Sequence, residues 1–352
     1  SETSGDEATV SGGTGTITIT RSVSNVTVSD GSGSGGIGSD QYLDIEQVNV
    51  SGSATDDLFI VSDSGDNILD GDAGEDTISY ETLTTPITVT VVGNQVSISA
   101  TGTGDDTLFN FENVTTGTGD DYFSISGTVD IKLDSTTGAD IFEFNTSAGG
   151  SLGLEASGST HLEFGTYGEG ITIDLGSSVS QSVDTDLTVN LSGTFTSISG
   201  SGYVDNISGT AGVDTIYGGD GADSIWGEDS ADLLYGEAGD DTIYGGAGAD
   251  TIDGGADNDV LSGGDDADTI DGGSGTDTLN GDVGNDILNG GDGVDTINGG
   301  ADDDTIDGGA GDDDIDGGAG IDFINEVSNT TGLVVTLSNV TGTGNIVDGG
   351  ET

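Results

Sequence analysis

From Gly209 to Asn325 one large aliphatic residue returns every nine positions, from Ile216 and Ile225 through Leu234 and Ile243 to Ile315 and Ile324. Its neighbours on both sides are mostly polar, so the local alternation is that of a short strand with one inward side chain. The segment divides without a gap into thirteen nonapeptides, among them GGDGADSIW (218–226), GGAGADTID (245–253), GGDGVDTIN (290–298) and GGAGDDDID (308–316). Glycine holds position 1 and aspartate position 6 in all thirteen, and position 8 is always Ile or Leu. One nonapeptide is therefore predicted to be a turn plus a three-residue strand. Two make a flattened coil of eighteen residues, whose strands stack in parallel on those of the next coil ~4.8 Å away. A fixed period of this kind decides the fold class as an all-β, parallel solenoid.

The remaining chain alternates less regularly. ITIT (17–20), NVTV (25–28), ITVTVV (87–92), VSISA (96–100), VDIKL (129–133), ITIDL (171–175) and LTVNL (187–191) read as half-buried strands separated by Gly, Ser, Asp and Thr. Single repeats, whole or partial, survive among them: GDAGEDTIS (71–79), TGTGDDTLF (101–109), TGTGDDYF (116–123) and TTGADIF (136–142). They put Asp76, Asp106, Asp121 and Asp140 in the position-6 place, so this half is read as an irregular β-helical version of the same architecture. No stretch has a helical period. The expected organisation is an N-terminal β segment over 1–60, a degenerate solenoid over 61–208, the thirteen repeats over 209–325 and a C-terminal β segment over 326–352.

Charge changes the picture next. The 352 residues include 66 Asp plus Glu against 2 Lys plus Arg, a formal net charge of −64, with 67 Gly and only 31% hydrophobic residues. Two kinds of chain have this composition, a disordered acidic polymer and a repetitive fold completed by bound cations. The nonapeptide register favours the second. Arg21 and Lys132 are the only strongly basic residues, which excludes nucleic acid and anionic membranes as direct partners. No apolar run approaches the ~20 residues of a membrane-spanning helix, and no direct membrane insertion is expected. Without cysteine there is neither a disulfide framework nor a thiolate metal site.

The glycine-rich turn followed by Asp at position 6 and an aliphatic residue at position 8 resembles the RTX, or haemolysin-type, calcium-binding repeats, G-G-x-G-x-D-x-U-x. The resemblance implies a β-roll with Ca²⁺ held between coils by turn carbonyls and by Asp carboxylates. Carried over to this sequence, the implied ligands are Asp214, Asp223, Asp232, Asp241, Asp250, Asp259, Asp268, Asp277, Asp286, Asp295, Asp304, Asp313 and Asp322, with Asp76, Asp106, Asp121 and Asp140 as further candidates upstream. Oxygen-only ligation from an irregular, carbonyl-rich turn suits Ca²⁺ better than Mg²⁺. Several repeats depart from the pattern. Ser230, Asp257, Asp266 and Asp302 stand at position 4, and Thr210, Glu228, Glu237 and Asp282 at position 2. Asp tolerates the left-handed conformation better than most residues, so these turns are expected to form.

A catalytic reading finds little to hold. His161 is the sole histidine and lacks a metalloprotease context, and no G-x-S-x-G elbow occurs, so the chain is not expected to be an enzyme. Tyr217 and Tyr235 are expected to stack on one face of the repeats, and Trp226 and Tyr244 on the other. A longer unit also recurs. Asp76-Thr-Ile, Ile87-Thr-Val-Thr-Val, Thr101-Gly-Thr-Gly-Asp and Phe111-Glu-Asn-Val form a complete example. Asp322-Phe-Ile, Leu333-Val-Val-Thr-Leu and Thr341-Gly-Thr-Gly-Asn repeat its first part, and Gly38 to Val48 resembles its second.

The chain is thus read as beginning and ending inside one unit, with the last coil of one molecule completed by the first strands of the next. The expected function is an extracellular, calcium-binding structural protein that folds on Ca²⁺ and assembles head to tail into a filament, matrix fibre or surface layer. Its partners are other copies of itself and cell-surface polysaccharide reached through Ca²⁺. The alternatives are a calcium-dependent adhesin or stalk module of a larger secreted protein, and the non-catalytic RTX domain of an exported enzyme. The resemblance further implies a type I secretion route.

Overall fold

The computed structural model describes residues 75–93, 95–100, 103–145 and 148–326, the segments 58–61 and 66–71, and strands at 7–11, 16–22, 25–29, 40–43, 47–51, 334–335 and 345–348. Every regular element among them is a β-strand. The chain forms two compact units, residues 1–163 with 178–195, and residues 164–177 with 196–352.

In the second unit the nine-residue period becomes two parallel sheets. Thr215–Asp220, Leu233–Ala238, Thr251–Ala256 and Thr269–Gly275 lie in one, and Ser224–Asp229, Thr242–Ala247, Val260–Asp265 and Thr278–Val283 in the other. Each strand pairs with its equivalent two nonapeptides on: Ile216 with Leu234, Leu234 with Ile252, Ile225 with Ile243, Ile243 with Leu261. The aliphatic residues at position 8, from Ile216 to Ile324, are at most 3% exposed. One branched side chain per nonapeptide thus makes the whole core, a burial that ordinary globules spread over many more residues per layer.

The strands are longer than the expected three residues. In six-residue strands such as Thr215–Asp220 the ladder resumes after position 1 of the next nonapeptide, so that Gly219 pairs with Glu237 and Asp220 with Ala238 while Gly218 and Gly236 drop out of register. From Ile287 onward most strands shorten to three residues or fewer, as in Thr296–Asn298 and Thr305–Asp307, with single bridges such as Val283 to Ala301.

In the first unit the coils are also parallel but of unequal length. Val89 pairs with Phe123 and Phe123 with Phe142, and the stacked rings of Phe123 and Phe142 are 4.3 Å apart between centroids. Phe59 meets Phe111 edge to face at 5.0 Å. Aromatic side chains fill the wider space that a coil of more than eighteen residues encloses. One feature departs from a pure parallel helix. Ile87–Val92, Gln95–Ala100 and Thr103–Phe109 form an antiparallel meander, with Val96 opposite both Val91 and Leu108. The stretch read from sequence as the nonapeptide turn TGTGDDTLF is a strand from Thr103 on, because its alternating side chains find a neighbour in the adjacent arm of the meander. Thr101, Gly102 and the related Thr341-Gly-Thr-Gly lie outside the described residues.

Candidate metal centre

The position-6 carboxylates of the second unit form two files, one along each turn edge. In each file the backbone N–H of one Asp donates to Oδ1 of the Asp eighteen residues later. Asp214 donates to Asp232 at 2.8 Å, Asp223 to Asp241 at 2.7 Å, Asp232 to Asp250 at 2.8 Å, and the pattern continues to Asp304 and Asp322 at 3.2 Å. Asp223 to Asp313 are no more than 2% exposed. Buried carboxylates this close together in a chain almost without cations are electrostatically expensive unless something else compensates them.

Their second oxygens show where compensation can act. Oδ2 of Asp223, Asp232, Asp241, Asp250, Asp259, Asp268, Asp277, Asp286, Asp295, Asp304 and Asp313 is buried and accepts no hydrogen bond. Buried polar atoms of folded proteins are nearly all partnered, so eleven orphans at one repeat position amount to a built feature. Beside those from Asp223 to Asp304 lies a gap held open by the position-1 glycine. A Cβ placed on Gly218 would stand 2.6 Å from Asp223 Oδ2 and 2.8 Å from the Gly236 carbonyl oxygen. On Gly272 it would meet Asp277 Oδ2 at 2.7 Å and the Gly290 carbonyl at 2.6 Å. The gap is walled by carboxylate and carbonyl oxygens, the donor set of a hard cation with Ca²⁺-like tolerance for irregular geometry. Among the described residues no three Asp, Glu, His or Cys side chains converge as a metal-ligating group. Any cation here therefore draws much of its shell from the backbone, and zinc chemistry does not fit.

Backbone conformation aims these groups. Position 2 has a left-handed φ in every repeat from Gly219 to Gly318, including the non-glycine residues Glu228 (81°), Glu237 (75°) and Asp282 (71°). Ser230, Asp257, Asp266 and Asp302 at position 4 are likewise left-handed, at 79° to 83°. The departures from the glycine pattern thus keep the turn, at the steric cost a side chain pays there. Thr210, which is β-branched, does not adopt this conformation, and the site it borders differs, as described below.

Burial, reinforced by neighbouring carboxylates, pushes Asp223, Asp232, Asp259, Asp268 and Asp304 up to about 7, and Asp241 and Asp295 up to about 6. Asp250, Asp277, Asp286, Asp313 and Asp322 are raised for the same first reason.

The expected ligand positions do not all look alike. Asp214 has Oδ1 orphaned, but its Oδ2 accepts from the Thr210 N–H at 2.6 Å and the Thr210 hydroxyl at 2.9 Å. Asp106 lies in a strand of the meander and is met by the Tyr80 hydroxyl at 2.7 Å and by the Asn67 backbone and side-chain N–H groups at 2.8 and 2.9 Å. Asp121 and Asp140 form a rung like those of the roll, with the Asp121 N–H 2.8 Å from Asp140 Oδ1, but at a spacing of 19 residues. The Asp76 N–H donates to Glu112.

One rung escaped the sequence reading. Asp205 is fully buried and its N–H donates to Asp223 Oδ1 at 2.8 Å, continuing the file upstream. GSGYVDNIS (200–208) is a fourteenth nonapeptide in phase with the thirteen. Gly200, Asp205 and Ile207 hold the diagnostic positions, while Tyr203 in place of the fourth-position glycine masks it.

The aromatic ladders form as expected, Tyr217 on Tyr235 at 4.8 Å and Trp226 on Tyr244 at 6.2 Å, both near parallel. His161 stands in a strand of the first unit, its Nε2 3.5 Å from Glu163.

Asp250→Asn separates charge from shape. The amide oxygen still accepts from Asp232, but the charge offered to the gap is gone. The variant is expected to bind one Ca²⁺ fewer and to lose about 3 kcal/mol at saturating Ca²⁺. In EDTA it should be at least as stable as the parent, because a buried uncompensated charge has been removed. Calcium counting and thermal unfolding in Ca²⁺, with residual β-structure by circular dichroism in EDTA, read both signs, and an unchanged count would remove Asp250 from the ligand set.

A family model described as RTX calcium-binding nonapeptide repeat matches residues 51–81, 199–234, 226–261, 253–288 and 289–324. The match at 199–234 includes the fourteenth nonapeptide, and that at 51–81 the isolated repeat around Asp76. No curated protein matches the chain.

Proposed function

From a chain that carries RTX calcium-binding nonapeptide repeats, we propose an extracellular structural protein that folds on meeting Ca²⁺ and assembles head to tail into a filament, matrix fibre or surface layer. The observation that carries this reading is the file of buried, orphaned carboxylate oxygens from Asp223 to Asp304 beside glycine-held gaps. In the folded state these carboxylates, with position-1 carbonyls such as those of Gly236 and Gly290, would hold the ions. Ca²⁺ would supply positive charge that cancels their repulsion and ties coils together. The residues themselves do the rest. Glycine keeps the gap open, left-handed position 2 faces the turn correctly, and position 8 seals the core.

Binding confined to the folded state adds to folding free energy. Extracellular calcium modules work at ~10⁻⁴ to 10⁻³ M, so such repeats stay unfolded where Ca²⁺ is scarce and fold after export. The role is mechanical, with no catalytic step assigned. Carboxylates left on the outer faces would allow Ca²⁺ bridging to surface polysaccharide.

For assembly, the support is the edge of the second unit's sheet. Among the described residues Asn345–Asp348 pairs in parallel with Phe323–Glu326 alone, and a solenoid strand with an open edge offers a template for another chain. Gly38 to Val48 resembles the part of the longer unit that follows a Thr-Gly-Thr-Gly element such as that at Thr341, and so supplies a matching strand. Deleting residues 1–40 should abolish filaments or sheets in electron micrographs while leaving Ca²⁺-induced folding of 209–325 intact. Undiminished polymerisation would defeat the assembly reading and leave calcium binding untouched.

A further inference from the structure

The buried carboxylates of the repeat type fall into two populations. From Asp223 on, Oδ2 is orphaned and no hydroxyl donates to it. At Asp106, Asp205 and Asp214, hydroxyl side chains meet the carboxylate instead. Ser201 donates its N–H to Asp205 Oδ2 at 2.6 Å and its hydroxyl to Oδ1 at 2.8 Å. Thr210 does the equivalent to Asp214 through both groups, and Tyr80 to Asp106. At Asp121 and Asp140 the position-1 glycine is itself replaced by Thr116 and Ser135, both fully buried. Their Oδ2 atoms are nevertheless buried and accept no hydrogen bond, so these two belong with the open carboxylates from Asp223 on.

The local cause is backbone. Ser201 and Thr210 occupy position 2, which is left-handed in every later repeat but not in these two. With the peptide turned the other way, its N–H and the side-chain hydroxyl both point at the carboxylate. A left-handed residue turns its N–H elsewhere, and the oxygen stays available.

We propose that within the roll calcium dependence stops between Asp214 and Asp223, the carboxylates of Asp205 and Asp214 being met by the N–H and hydroxyl groups of Ser201 and Thr210, which take the cation's place. The rungs at Asp205 and Asp214 then form a metal-independent first coil on which Ca²⁺ folds the following repeats in order, because each new Asp carboxylate accepts the N–H of an Asp already held. This assignment rests on the calcium reading of the roll.

Hydrogen exchange of the full chain, read by mass spectrometry, tests it. In EDTA, peptides across 200–217 should remain protected while those across 227–325 exchange as unfolded chain, and Ca²⁺ should protect the latter. Uniform exchange, or uniform protection, in EDTA would overturn the division. Thr210→Gly permits the left-handed turn and removes the hydroxyl, so native mass spectrometry should count one more Ca²⁺ than in the parent, whereas Thr210→Ser should leave the count unchanged. An equal count in Thr210→Gly and the parent would overturn the assignment while sparing the calcium reading. A parent chain that binds no Ca²⁺ would instead defeat that reading, and this assignment with it.

Discussion

In EDTA at pH 8 the repeats from 218 to 325 are expected to lose their β-structure, and millimolar Ca²⁺ to restore it. An ion present at a hundredfold its Kd adds about 2.7 kcal/mol per site. Four occupied sites together supply on the order of 10 kcal/mol, which is the whole stability of an ordinary domain. The core of the roll, one aliphatic side chain per nonapeptide, cannot replace that sum against the repulsion of the facing carboxylates. The same carboxylates predict the response to pH. In the metal-free fold they are raised from 3.8 to about 6 at Asp241 and Asp295 and to about 7 at Asp223, Asp232, Asp259, Asp268 and Asp304, burial being the main cause.

A carboxyl whose pKa is higher folded than unfolded holds its proton more tightly in the fold. Its contribution to stability is therefore full below the unfolded value near 4 and lost as pH rises through 6 to 7. In EDTA, acidification from pH 8 to pH 5 should accordingly increase the β-signal of the roll. In Ca²⁺ the same change should weaken binding, since protons and the cation compete for one oxygen. Circular dichroism and calcium titration at both pH values distinguish the two arms. A roll equally stable with and without Ca²⁺ at pH 8 would contradict the site as described.

The second large effect is expected from a single methyl group. Gly245 is a position-1 residue without a left-handed φ, so alanine meets no backbone strain there. Its Cβ would nevertheless stand against Asp250 Oδ2 and 2.5 Å from the Gly263 carbonyl oxygen, inside the gap. Gly245→Ala is expected to abolish one calcium site and to cost about 3 kcal/mol in saturating Ca²⁺. Gly202→Ala is the control, because a Cβ there meets nothing within 4 Å and substitutions of that kind stay within about 0.5 kcal/mol. Calcium counting together with thermal unfolding separates loss of the site from general damage. Equal losses in the two variants would mean that glycine serves the chain's path alone.

Much of this site could be read from residue types at fixed spacing. A period of nine with an inward aliphatic residue defines which side chains share a core and which carboxylates share an edge, and pairing eighteen residues apart follows from two nonapeptides per coil. The fourteenth repeat was equally present, hidden by Tyr203. The meander at 87–109 was not legible. Alternation with period two states which face a side chain takes, but the neighbouring strand can be parallel or antiparallel with the same pattern. ITVTVV and VSISA therefore fit either arrangement, and only their packing on Leu108 and Phe123 decides between them.

Sequence by itself thus determined the solenoid class, its register, the core row and the acidic files, because each is a consequence of periodicity. Tertiary structure decided which carboxylates keep an unshared oxygen. That depends on the hand of φ at position 2 and on hydroxyl groups that reach the carboxylate from nearby or from distant residues, as Tyr80 reaches Asp106. Periodicity places an aspartate on an edge, but only the folded backbone determines whether a hydroxyl or a cation completes it.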